Sequence, residues 1–317
     1  MNGRPVSALP TLALIAVTAA WGSTFFLIKD LLDEVSVLDF LSVRFLIAAA
    51  VLLAIAPRSM MRLSRDEVKH GVLLGMVYGV AQVLQTLGLE RTSASVSGFV
   101  TGMYVVATPL FAAILLRERI GRWVWVAVLV STAGLAFLSL QGLAISPGVA
   151  VIFASAMLYA LHIVGLGRWS TVSNAFGLSV LQMIVIAVVC TTASAPNGIA
   201  TPETSGGWWS LLYMAVIAGA GALLAQTWAQ AHLSSTRAAI IMTMEPVFAA
   251  FFAVIFGGEM LTARMVAGGT LVLTAMFMVE LTPKQKSDAD AEPDAEPEPQ
   301  PEAISDSVLV RDATPRR

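Results

Sequence analysis

Two stretches of this sequence, Gln85–Glu118 (QTLGLERTSASVSGFVTGMYVVATPLFAAILLRE) and Gln226–Glu259 (QTWAQAHLSSTRAAIIMTMEPVFAAFFAVIFGGE), are versions of one another. A shift of 141 residues lays Gln85-Thr86 on Gln226-Thr227, Ser93 on Ser234, Met103 on Met244, Phe111-Ala112 on Phe252-Ala253 and Glu118 on Glu259. From Gly79 to Arg119 against Ala220 to Met260, ten of 41 positions are identical and no gap is needed. Most other pairs exchange one small or apolar residue for another. Such self-similarity is the mark of a duplicated structural unit. It sets how the remaining sequence is read.

The chain of 317 residues is 57% hydrophobic and 13% charged, with a mean hydropathy of +0.78. Soluble domains carry about 25% charged residues, so the composition belongs to lipid. A net charge of -2 argues against a nucleic-acid partner. Nine of the 21 acidic residues follow Pro283, which leaves the apolar part mildly basic. Cys190 is the single cysteine and permits no disulfide within the chain. Three scattered histidines, His70, His162 and His232, make no metal site, and no cofactor is expected.

A helix needs about 20 mostly apolar residues to cross a bilayer core of about 30 Å. Ten such segments are predicted: Leu9–Ile28, Val35–Ala56, Val68–Gly88, Val96–Leu116, Trp123–Leu140, Pro147–Leu166, Asn174–Thr192, Trp208–Gln230, Ala238–Phe256 and Ala263–Leu281. The first is read as an uncleaved helix rather than a signal peptide. With the N-terminus inside, twelve Lys and Arg fall in inside loops and three (Lys29, Arg91 and Arg264) outside. That asymmetry predicts cytoplasmic N- and C-termini. Five helices per half is an odd number, so the second half enters from the opposite side. The fold expected is all-α and integral to the membrane, with ten transmembrane helices arranged as two five-helix inverted-topology repeats, the construction of many secondary transporters. The repeats span 9–140 and 147–281. Residues 283–317 read as a disordered, acidic, Pro-rich cytoplasmic tail.

The pattern resembles the EamA-type permeases of the drug/metabolite transporter superfamily. Trp21-Gly22-Ser23-Thr24-Phe25, Arg44-Phe45, Thr92-Ser93-Ala94-Ser95 and Glu118-Arg119 carry the resemblance in the first half. Glu245-Pro246-Val247-Phe248 and Gly258-Glu259 carry it in the second. The resemblance implies a ten-helix inner-membrane carrier, usually an exporter of small metabolites or amino-acid-like compounds. One departure is visible: Pro246 aligns with Val105, and Pro109 comes one turn later. The two kinks therefore need not be symmetric between the halves.

Polar side chains at membrane depth are costly, and they usually face a cavity or the bundle interior. On the third segment Gly71, Gly75, Gly79, Tyr78, Gln82 and Gln85 share an arc of about 120°. The glycines are expected to let helices approach closely. The glutamines line a cavity or tie helices together. Trp21 and Thr24 share a face of the first segment, Thr101 and Tyr104 a face of the fourth, and Tyr159 and His162 a face of the sixth. Gln226 lies at a similar depth on the eighth. Together these residues are the candidate lining of a solute site. Glu245 is the sharpest single candidate. It precedes Pro246, which removes a backbone donor, and an intramembrane carboxylate beside a bend suits proton coupling. His162 is a candidate relay partner. Pro109 and Pro246 are candidate hinges.

Arg44 is expected to pair with Asp39 or Glu34, or to snorkel outward. Glu118 and Glu259 are expected to cap the helix that follows each, or to pair with Arg119, Arg122 or Arg264. The function read from this is a secondary transporter, most readily an exporter of small amphipathic solutes by alternating access. The alternatives are a membrane enzyme acting on lipid or polyprenyl substrates and a non-transporting partner protein using the acidic tail. Asp30, Asp33 and Glu34 come closest to the acidic cluster such an enzyme needs, but no histidine accompanies them. No Gly-x-x-x-x-Gly-Lys-Ser/Thr motif is present, which argues against ATP-driven transport by this chain.

Overall fold

The computed structural model describes residues 8–117, 121–141, 144–194 and 198–280. The tail beyond Pro283 and Glu118 lie outside the described residues. The described residues are overwhelmingly helical: α1 (Ala8–Leu31), α2 (Val37–Ile55), α3 (Arg65–Leu89), α4 (Ala94–Thr101), α5 (Tyr104–Leu116), α6 (Arg122–Ser139), α7 (Pro147–Trp169) and α8 (Ala175–Ser194). After these come α9 (Ser205–Ala215), α10 (Ala222–Gln230), α11 (Ser235–Ile241), α12 (Met244–Ile255) and α13 (Ala263–Glu280). A two-residue antiparallel bridge between β1 (Leu140–Gln141) and β2 (Ala144–Ile145) joins the two halves.

Among the described residues eight helical spans are long and apolar enough to cross a membrane, counting α4–α5, α9–α10 and α11–α12 as one span each. The fifth and tenth expected segments do form helices, α6 and α13. Their strongly apolar parts are shorter, Trp125–Gly134 and Ala263–Ala275, and the two helices pack on each other. The outer surface is apolar. Leu73, Met76 and Val80 follow helical spacing along α3 and are all exposed, as befits a face turned to lipid. This is a multi-pass membrane protein.

Polar caps start the helices where the chain turns. Ser36 accepts from the Asp39 amide at the start of α2, and Ser64 and Glu67 form a capping box on α3. Pro147 opens α7 behind a Ser146 cap, where its missing N–H costs nothing.

The packing follows a paired pattern. α3 lies against α7 and α8, while α10 and α9 lie against α1 and α2. α1 packs on α12, and α7 on α4 and α5. The glycines of α3 are the means of one approach. A Cβ at Gly75 would stand 2.7 Å from Val185 Cβ and 2.9 Å from Gln182 O, and Gly71 and Gly79 lie on the same stripe against α8. Gly22 brings α1 onto α12 as closely, 2.6 Å from Phe248 Cβ for the missing Cβ.

The helix breaks do not follow the prolines. Pro109 sits inside α5 without interrupting it. The fourth span breaks instead at Gly102-Met103 and the ninth at Met242-Thr243. Under the repeat shift these sites agree to within one residue. The breaks are thus symmetric although Pro109 and Pro246 are not. Pro246 falls in the first turn of α12, where backbone N–H groups have no intrahelical acceptor to lose.

A second irregularity was not expected. Between α9 and α10, residues Val216–Gly221 wind as a π turn. Such turns skip a regular backbone bond and leave carbonyl groups free for other donors. Within it Ala218 O accepts from Trp21 Nε1 at 2.8 Å, and just before it, in α9, Met214 O accepts from Arg44 Nε at 3.2 Å.

Glu259 also departs from expectation. Its carboxylate accepts from the Ala94 amide at 2.7 Å and the Ser95 amide at 3.3 Å, so it caps α4 in the other half. The helix that follows it, α13, takes its own cap from Thr262. On the same end of the bundle Lys29 donates to Leu89 O and Thr92 O, at 3.4 and 2.6 Å. A cation thus meets the carbonyl end of α3 and an anion the amide end of α4, the signs the helix dipoles favour.

Candidate functional site

Eleven side chains singled out from the sequence line one cavity. They are Trp21 and Thr24 from α1, Tyr78, Gln82 and Gln85 from α3, Thr101 from α4, Tyr104 from α5, Tyr159 and His162 from α7, Gln226 from α10 and Glu245 from α12. The cavity opens outward, with about 450 Å³ of empty space counted out through its mouth. Both copies of the repeat contribute walls. The mixture follows from helical spacing: each helix turns an apolar face outward and sets one or two polar groups on the inner side.

Two hydrogen bonds tie the halves across the cavity. Tyr104 OH donates to Glu245 Oε2 at 2.8 Å, with Met242 O also at 2.8 Å. Tyr159 OH donates to Gln85 Oε1 at 2.8 Å, while Gln85 Nε2 donates to Thr101 Oγ1 at 3.0 Å. The last contact has a counterpart in the second half, where Gln226 Nε2 donates to Met242 Sδ at 3.8 Å. Gln226 falls on Gln85 and Met242 on Thr101 under the repeat shift. The copies differ in what remains. Gln85 Oε1 is occupied by Tyr159, whereas Gln226 Oε1 is buried without a partner among the described residues.

Glu245 is 4% exposed and sits in the first turn of α12, where the amide end of a helix favours a carboxylate. His162 faces Gln182 rather than Glu245. Its Nε2 lies 2.7 Å from Gln182 Oε1, and Gln182 Nε2 donates to Leu178 O. With Gln182 oxygen as acceptor, His162 Nε2 carries the hydrogen and Nδ1 is left as an acceptor. That Nδ1 is buried and unpartnered. Tyr78 packs edge-on against Tyr159, with ring centres 5.4 Å apart, and against His162 at 4.9 Å. These three rings form an aromatic wall.

Four lining residues were not in the candidate set: Phe25, Arg44, Ile163 and Met242. Arg44 overturns its expected role. It is 2% exposed, does not snorkel, and meets no carboxylate among the described residues. Asp39 is engaged by Ser36 and Ser194. Glu34 is engaged by Thr204 and the Glu203 amide. The guanidinium lies instead over Phe40 and Phe45, at 5.7 and 5.1 Å from the ring centres. The spacing held the signal. Arg44 stands five residues from Asp39, and helical side chains meet three or four apart, so the two point to different faces of α2.

Comparison with known proteins places this architecture. Residues 9–140 and 146–281 each match the family model described as the EamA-like transporter family. An uncharacterized transporter of Archaeoglobus fulgidus is 30% identical over 275 residues, covering 85% of each chain. The uncharacterized transporter YoaV of Bacillus subtilis is 22% identical over 295 residues, covering 86% of this chain and 96% of its own. A protein solved by crystallography superposes with a TM-score of 0.63 at 18% identity, covering 86% of this chain and 96% of that one. This last likeness is one of fold.

Proposed function

The chain belongs to the EamA-like transporter family over both of its halves, and from that premise we propose that it is a secondary transporter exporting small amphipathic or amino-acid-like solutes. The cavity is the solute site. Its walls come from both copies of the repeat, and this is the observation that carries the reading. Alternating access then consists of the two halves, inverted relative to each other across ten spans, rocking about the cavity. The paired packing supports this symmetry: α3 on α7 mirrors α10 on α1, and α2 on α8 and α6 on α13 join equivalent helices. The excess of Lys and Arg in alternate loops orients the chain with cytoplasmic termini in the inner membrane.

Proton coupling runs through Glu245. A phenol has one proton, yet Tyr104 OH faces two acceptors at 2.8 Å, Met242 O and Glu245 Oε2. The set is fully satisfied when the carboxyl brings a proton of its own, and it is one short when the carboxylate is ionised. Loss or gain of that proton therefore strains or relaxes a bond that joins the two halves. His162 shares the cavity as an acceptor. It would pass a proton to Glu245 only through solute or water.

Two measurements test this. A metabolite screen compares efflux from cells overproducing the chain with a null strain; unchanged efflux across the screen refutes transport. Solute-driven proton flux in vesicles is then compared for wild type and Glu245→Gln. Unchanged coupling in the variant removes Glu245 from the mechanism.

A further inference from the structure

We propose that Arg44 docks the carboxylate of the transported solute, which makes that solute a small organic monocarboxylate carrying a hydrogen-bond donor. The inference rests on the cavity being the solute site, as proposed above. Arg44 lines the cavity and is 98% buried by the complement of its 2% exposure. Its Nε is spent on Met214 O. Among the described residues its two terminal nitrogens have no hydrogen-bond acceptor in the protein, and the ion pair found there is Lys69 with Asp66 at the end of α3. A guanidinium does not shed its proton, and a buried charge without a partner is strongly unfavourable. The rings of Phe40 and Phe45 hold it in place but supply no negative charge.

The free edge of Arg44 offers parallel N–H groups, the fork that matches a carboxylate in a bidentate manner. A single cation suits a single negative charge, because among the described residues no Lys and no second Arg lines the cavity. Elsewhere on the wall, Gln226 Oε1 and His162 Nδ1 are buried acceptors without partners, which call for an N–H or O–H on the same solute. The wall of Tyr78, Tyr159 and His162 receives an apolar body.

The test uses the full chain in lipid nanodiscs and reads the thermal unfolding midpoint. Probes are phenyllactate, mandelate and the primary amide of each, with phenethylamine as a cation control. The acids raise the midpoint of the wild type at millimolar concentration and the amides do not. Arg44→Gln raises the acid concentration needed by about ten- to a hundredfold, the worth of a charge-assisted hydrogen bond. Arg44→Lys keeps the charge without the fork and falls between. Where Arg44→Gln does not fold, Arg44→Lys carries the comparison. Equal protection by acid and amide overturns the inference. So does an undiminished preference for acid in the variants, or an absence of protection by every acid. Whole-cell efflux separates the two levels. Export of solutes lacking a carboxylate overturns the role of Arg44 and keeps transport. Acids that bind while nothing is exported overturn transport and keep the anion site.

Discussion

Tyr104 and Glu245 stand 141 residues apart, at the same place in the two copies of the repeat, and the phenol of one donates to the carboxyl of the other at 2.8 Å. The two positions are equivalent under the repeat shift, and one carries an aromatic where the other carries an acid. Tyr104→Phe leaves Glu245 and Met242 O short of a buried donor, a cost of about 1–3 kcal/mol. The expected outcome is a transport rate lowered about tenfold or more and a displaced pH profile, read by solute uptake into vesicles at graded pH. Glu245→Gln keeps an oxygen for Tyr104 but cannot ionise, so its pH profile is expected to flatten.

The Tyr159 to Gln85 bond also joins the halves at the cavity. A double-mutant cycle with Tyr159→Phe and Gln85→Leu is expected to give a coupling of about 1 kcal/mol in unfolding free energy. Additive losses refute a direct interaction. The single Tyr159→Phe change leaves Gln85 Oε1 bare, in the same state as Gln226 Oε1 in the wild type.

Gly75 packs where a Cβ would lie 2.9 Å from Gln182 O, a backbone atom that yields only if α8 moves. Gly75→Ala is expected to destabilise by about 1–3 kcal/mol, the range for overpacking. The same substitution at Gly79 meets Val189 at 3.3 Å and is expected to cost clearly less. Thermal unfolding of the two variants in one lipid checks the order.

Glu259 caps α4 through two amides. Glu259→Gln weakens that cap by about 0.5–2 kcal/mol. Hydrogen exchange at Ala94 and Ser95 is expected to quicken while the amides that open α13 stay unchanged. Faster exchange in α13 as well points to general loosening instead.

Glu34 lies outside the membrane-spanning segments, and its carboxylate is held below its usual range by the Thr204 hydroxyl and the Thr204 and Glu203 amides. A folded-state pKa below the unfolded one stabilises above the unfolded value, and this contribution is lost as pH falls through the folded one. Thr204→Val removes the largest cause and is expected to move the Glu34 titration up toward 4.5. Carboxyl carbon NMR of labelled protein reads the shift directly.

The lining of the cavity was legible because the bilayer makes polarity conspicuous. Gln82, Gln85, Gln226 and Glu245 stand out of apolar runs, and a buried polar group needs a reason. The apolar members, Phe25, Ile163 and Met242, carry no such contrast and are indistinguishable from packing. Arg44 is as conspicuous, but nearness to Asp39 in sequence is not nearness on a helix, where five residues separate the faces. Proline is a poor sign of the breaks in the fourth and ninth spans. The actual interruptions precede Pro246 and ignore Pro109. The π turn at Val216–Gly221 has no local signature beyond small residues. Its contacts are distant in sequence: Trp21 bonds Ala218 O within it and Arg44 bonds Met214 O just before it.

The cap that Glu259 places on α4 also orders the birth of the molecule. The amides of Ala94 and Ser95 enter the membrane while their carboxylate partner, 165 and 164 residues further along, is still unmade. Tyr104 waits 141 residues for its acid in the same way. The nascent first half therefore dwells in the bilayer with polar groups that only the second half completes. Halves made as separate chains should find one another in the membrane, and the first made alone should be a substrate for quality-control proteolysis.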